Sequence, residues 1–132
     1  MTQSNRIGFI GLGNVGASLA GNLLRHGVDL TVRDVNEAAV AEFVANGARS
    51  ADSPRAMTEA CDIIITCLPS PAISAQVVEG PDGILEGLAP GKLWLEMSTT
   101  DSAELRRLAA EVAARGARGP VGWRCPWPWP SG

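Results

Sequence analysis

The sequence predicts an α/β protein built on a doubly wound parallel sheet, with helices on both faces in three α/β/α layers. Short apolar runs alternate with segments of helical spacing along most of the 132 residues. Those runs are apolar throughout rather than at every second position, as strands covered on both faces require. A glycine cluster stands directly after the first run.

The elements follow in order. Arg6 to Ile10 is a short apolar run that reads as a buried strand. Val15, Leu19 and Leu23 then recur at helical spacing, and Gly27 ends that helix. Leu30 to Val32 is a second strand. Asn36 is placed to cap a helix carrying Val40, Phe43 and Val44, which Gly47 ends. Ser53 followed by Pro54 is an N-cap with proline at the first helical position, so a short helix should run to about Ala60. Asp62 to Cys67 contains three consecutive isoleucines and is the clearest central strand. A helix is expected near Ile73 to Val78, with turns at Gly80-Pro81 and Gly83. Leu93 to Met97 is another strand. Asp101 with Glu104 makes a capping-box-like start for a helix with Leu105, Leu108, Ala109 and Val112, ended by Gly116.

Composition narrows the functional classes. The chain is 45% hydrophobic, enough for one domain with a core. A net charge of -3, scattered arginines and one lysine, Lys92, speak against a nucleic-acid partner, which needs basic charge gathered on one face. The cysteines, Cys61, Cys67 and Cys125, form no CxxC pair, and His26 is the single histidine, so no metal site is expected. The N-terminus lacks the pattern of a signal peptide, and no apolar run approaches the roughly 20 residues of a membrane span. A cytoplasmic protein with free thiols is the expectation.

Gly11-Leu12-Gly13-Asn14-Val15-Gly16 is a G-x-G-x-x-G between a predicted strand and a predicted helix. Gly11 permits the tight turn, Gly13 lets the backbone approach a pyrophosphate, and Gly16 allows close packing of the helix. The phosphates would sit at the helix N-terminus, where unpaired N–H groups and the helix dipole favour anions. Asp34 ends the second strand, 18 residues beyond Gly16. An acid there accepts hydrogen bonds from the adenosine ribose and repels a 2′-phosphate, which favours NAD. The neighbouring Arg33 is of the type that pairs with a 2′-phosphate, so NADP stays open. The fold implied is Rossmann-type.

On these residues the sequence resembles the β-hydroxyacid dehydrogenases, the 3-hydroxyisobutyrate dehydrogenase group. The family opens with G-L-G-x-M-G-x-x-M-A-x-N-L, and here Gly11 to Leu23 matches with Val15 and Leu19 for the methionines. Leu68-Pro69 matches a family Leu-Pro whose loop lies along the dinucleotide. Glu96-Met97-Ser98-Thr99-Thr100-Asp101-Ser102 is similar to the family D-x-S-T-x-D-P segment. The resemblance implies that Thr99, with Ser98 beside it, reaches the nicotinamide side. Ile73 stands where some members carry an asparagine, and Ser102 replaces the family proline.

The resemblance covers about residues 6 to 118. The family continues into a D-A-P-V-S-G-G loop and an all-helical domain with a catalytic lysine, and this chain reads Gly119-Pro120-Val121-Gly122-Trp123 instead. Lys92 precedes its strand, at the amino edge of the sheet, and His26 lies at the far end of the first helix, so no catalytic residue is assigned. The expected organisation is a dinucleotide-binding domain over 1–118 and an irregular Trp/Pro-rich tail over 119–132, truncated before the all-α domain. Two readings of the tail stand: a segment foreign to the domain, from truncation or a frame change, or an interaction tail. Accordingly, one reading of function is the NAD(P)-binding domain of a dehydrogenase, inactive alone. The other is a stand-alone dinucleotide-binding or sensing module that docks a partner through Trp123, Trp127 and Trp129. Catalysis in trans is a third. A missing sixth strand should leave a sheet edge uncovered and promote self-association.

Overall fold

A computed structural model describes residues 6–68, 71–97 and 102–122. The chain order is β1 (Arg6–Ile10), α1 (Asn14–Arg25), β2 (Asp29–Arg33), α2 (Glu37–Ala45), β3 (Arg49–Ser50) and α3 (Pro54–Ala60). It continues with β4 (Ile63–Thr66), α4 (Pro71–Glu79), α5 (Ile84–Gly87), β5 (Leu93–Glu96), α6 (Ser102–Ala114) and β6 (Arg118–Gly122). All strand pairs are parallel, in the order β3-β2-β1-β4-β5-β6. The order reverses at β1, which pairs with β2 on one side and β4 on the other. An open sheet of this kind binds ligands outside the carboxyl ends of the strands at such a reversal.

The strand side chains alternate between two cores. Phe9 and Ile65 pack with Leu30, Val32 and Ala20 on the face covered by α1 and α2. Ile10 and Ile64 pack with Met57, Val78, Trp94, Leu108 and Val112 on the opposite face. Adjacent residues of one strand thus enter different cores, which is why the isoleucine run had to be apolar at every position. The largest buried side chain among the described residues, Trp94, donates from Nε1 to Thr66 Oγ1 at 2.9 Å, so the indole N–H is satisfied on the neighbouring strand.

The helix boundaries follow local chemistry. Asn36 Oδ1 accepts from the N–H groups of Ala38 and Ala39, and Ser53 Oγ accepts from that of Ala56. Gly27 closes α1 with φ +80°, a conformation that costs other residues a Cβ clash. The capping box expected on Asp101 lies outside the described residues.

Two small elements escaped the sequence reading. β3 is an exposed Arg-Ser pair, too short and polar to show a period. α5 has four residues, less than the repeat by which a helix is recognised.

One expectation is corrected. A sixth strand is present: Arg118–Gly122 runs parallel to β5, so the sheet crosses the expected boundary at 118 and does not leave β5 uncovered. Pro120 lacks the N–H that a strand ladder uses. The strand tolerates it because β6 is at the edge and its register shifts there. Leu93 lies opposite Arg118 but Leu95 opposite Val121, so β6 holds one extra residue at this place.

Replacing Thr66 by valine should leave the Trp94 N–H buried without an acceptor. The expected cost is about 1–3 kcal/mol of stability, measured by urea denaturation.

Candidate dinucleotide-binding site

The site begins with the backbone of residues 10–16. Gly11 has φ +103°, and a Cβ there would overlap the Cys67 carbonyl at the end of β4. A Cβ on Gly16 would overlap the Gly11 carbonyl oxygen and meet the Phe9 ring at 3.4 Å. These two glycines are therefore required by packing alone. Gly13 differs: a Cβ there meets nothing within 4 Å. Its missing side chain serves no intrachain contact and leaves space for a ligand.

Gly13 is also the N-cap of α1, and no side chain caps this helix, whereas Asn36 and Ser53 cap α2 and α3. The first turn of α1 carries no acidic residue. A twelve-residue helix thus presents bare N–H groups and the positive end of its dipole to the cleft, an arrangement suited to a pyrophosphate.

Asp34 stitches this loop to β2. Its Oδ2 accepts from Leu12 N–H at 2.5 Å and its Oδ1 from Asn36 N–H at 2.8 Å, while Gly11 N–H donates to the Arg33 carbonyl at 3.0 Å. Both carboxylate oxygens are oriented and each keeps a lone pair for a ribose hydroxyl. The Arg33 guanidinium is turned to the β3–α3 connection, where Nη1 donates to the carbonyls of Ala51 at 3.1 Å and Asp52 at 2.8 Å.

A cleft of about 660 Å³ joins these groups. Gly11, Gly13, Asn14, Val15, Gly16, Arg33, Asp34 and Leu68 all line it, so the structure assembles eight of the residues selected from sequence. Leu12 contributes its N–H while its side chain is buried in the core. Pro69, Ser98 and Thr99 lie outside the described residues. The sequence reading missed Val35, Pro54, Cys67, Gln76 and Val77 in the cleft wall. Only their positions after β2, β3 and β4 could have pointed to them, since ligands gather at strand carboxyl ends. Val15 and Val35 are 64% and 99% exposed, which leaves apolar side chains free to meet a ligand. Ile73, at the position of a family asparagine, adds apolar wall instead of an amide.

Cys67 is half-buried in the cleft, and burial together with the charge of Glu96 pushes its thiol up. Burial also raises the Cys61 thiol, against a hydrogen bond with Thr31. Both are free thiols that stay protonated at neutral pH. Lys92 is more firmly placed than a solvated loop charge: Nζ donates to the Cys61 carbonyl at 2.6 Å and the Glu59 carbonyl at 3.3 Å, at the amino edge of the sheet. His26 is the C-cap of α1, with Nδ1 2.7 Å from the Asn22 carbonyl. Among the described residues no His/Cys/Asp/Glu group could hold a metal, and no helix is long and apolar enough to cross a membrane.

An uncapped helix at the sheet's reversal point, a ligand-sized space at Gly13 and an acid at the end of β2 define a nicotinamide dinucleotide-binding domain. The family profile described as the NAD binding domain of 6-phosphogluconate dehydrogenase matches residues 6–119. The chain belongs to that family, and its resemblance to the β-hydroxyacid dehydrogenases holds. It is 41% identical over 117 residues to rat mitochondrial 3-hydroxyisobutyrate dehydrogenase, covering 89% of this chain and 35% of that protein. It is 37% identical over 113 residues to the zebrafish cytokine-like nuclear factor N-PAC, covering 86% of this chain and 24% of that protein. The crystal structure of 3-hydroxyisobutyrate dehydrogenase from Salmonella typhimurium superposes with a TM-score of 0.79 at 30% identity, over 86% of this chain and 39% of that one. The chain thus spans between a quarter and two-fifths of these proteins.

The two kinds of glycine should separate in experiment. Gly13→Ala should keep the wild-type melting temperature and lose NADH binding, measured by fluorescence titration. Gly16→Ala should lower the melting temperature as well, because the α1 backbone must move.

Proposed function

We propose that this chain binds NAD in preference to NADP, as the cofactor half of an oxidoreductase acting on a 3-hydroxy acid. The observation that carries the reading is the bare N-terminus of α1 beside the fixed Asp34 carboxylate. The helix end receives the pyrophosphate, and Asp34 accepts from the adenosine ribose hydroxyls while its charge opposes a 2′-phosphate. Leu68 and Pro69 would lie along the dinucleotide, and Ser98 and Thr99 would reach its nicotinamide end. A bound nicotinamide supplies hydride acceptance or donation. The 3-hydroxyisobutyrate dehydrogenases among the relatives support the substrate class.

The residues described here bind and orient the cofactor. Lys92 is not the general acid of such a reaction: it is tied to the carboxyl end of α3, at the edge of the sheet opposite the cleft. The second reading, a dinucleotide-binding module serving a partner, draws support from N-PAC, a relative named for a nuclear factor and not for an enzyme activity.

Asp34→Asn keeps an acceptor for the Leu12 N–H but removes the charge. It should weaken NAD roughly tenfold and narrow the preference over NADP, read from the two dissociation constants. Tighter binding of NADP than NAD by the wild type would refute the preference. The polypeptide of this sequence, purified alone, should bind NADH and show no turnover with 3-hydroxyisobutyrate. Measured turnover would show that these residues suffice for the chemistry.

A further inference from the structure

We propose that Arg33 is a positioning residue for the adenosine end of the cleft, latching the β3–α3 connection so that Pro54 stands as a fixed wall. The proposal deepens the dinucleotide reading and rests on it.

β3 is two residues long, and its ladder with β2 consists of Thr31 opposite Arg49 and Val32 opposite Ser50. The next residue of β2 is Arg33, and opposite it the chain leaves the sheet at Ala51. Where backbone pairing stops, the Arg33 side chain takes over. Its Nη1 donates to the Ala51 and Asp52 carbonyls. Bonds from a charged donor are stronger than the neutral ladder bonds they replace. The following two residues start α3: Ser53 caps it, and Pro54 lines the cleft. On its other side this helix start is held by Arg55 N–H, which donates to the Asp82 carbonyl at 2.8 Å.

The same residue also holds the phosphate loop, because its own carbonyl accepts from Gly11 N–H. Arg33 thus joins two walls of one cleft, the loop through its backbone and the β3–α3 connection through its side chain. Among the described residues it pairs with no carboxylate, so its charge is engaged by neutral loop carbonyls. A 2′-phosphate would have to draw it away from them, which acts in the same direction as the repulsion by Asp34.

The test titrates the whole chain with NAD, AMP, adenosine 2′,5′-bisphosphate and nicotinamide mononucleotide, by calorimetry at millimolar ligand. Arg33→Met, of similar length without donors, should weaken AMP and NAD each roughly tenfold and leave nicotinamide mononucleotide within about twofold. Arg33→Lys keeps a charged donor and should fall between, at roughly threefold. Should Arg33→Met fail to fold, Arg33→Lys decides by the same split. Unchanged AMP binding overturns the proposal. So does a loss confined to adenosine 2′,5′-bisphosphate, which would make Arg33 a direct phosphate contact. An equal loss for AMP and nicotinamide mononucleotide overturns it too, as general destabilisation. A wild-type chain that binds neither mononucleotide removes the dinucleotide reading itself, whereas AMP binding by the wild type leaves that reading standing whatever Arg33 does.

Discussion

The close approach of α1 to the turn before it is the constraint on which the rest depends. Gly16 lies so near the Gly11 carbonyl, and Gly11 so near the Cys67 carbonyl, that neither position has room for a side chain. This contact brings the helix start over the carboxyl ends of β1 and β4. It aims the unpaired N–H groups of the first turn into the cleft. A helix end without a capping side chain is costly unless water or a ligand satisfies it. The chain keeps this one bare while capping α2 and α3 with Asn36 and Ser53.

The loop is held open by polar ties that run between strands rather than along them. Asp34 reaches back to Leu12, Gly11 reaches across to Arg33, and Arg33 reaches onward to Ala51 and Asp52. Three segments far apart in the chain thus share one set of hydrogen bonds at the carboxyl end of the sheet. Beneath them the two cores supply rigidity, with Trp94 and Thr66 locking β4 against β5. Two exposed apolar side chains, Val15 and Val35, line the cleft.

Among the described residues, the titratable side chains that line this cleft are Arg33, Asp34 and Cys67. Its thiol at Cys67 is kept protonated by burial and by the nearby Glu96 charge, and its carboxylate, Asp34, accepts from the N–H groups of Leu12 and Asn36. The lysine and histidine of the chain serve helix ends, Lys92 at α3 and His26 at α1. The chain spans about a third of its dehydrogenase relative.

The sequence by itself determined what depends on neighbours within a turn or a strand. Helix caps at Asn36 and Ser53, the stop at Gly27, the apolar strands and the glycine spacing all act over a few residues and were legible there. So were Gly11 and Gly16, whose surroundings leave no room for a Cβ, and the motif spacing also singled out Gly13 and Asp34. Only the tertiary structure decided the rest. β6 forms despite Pro120 because an edge strand with a shifted register spares the missing donor. β3 exists because β2 pairs with it, not because Arg-Ser favours a strand. The cleft wall of Pro54, Cys67 and Val77 and the Arg33 latch unite residues that only the folded sheet brings together. Their contacts are non-local, so no spacing in the chain announces them.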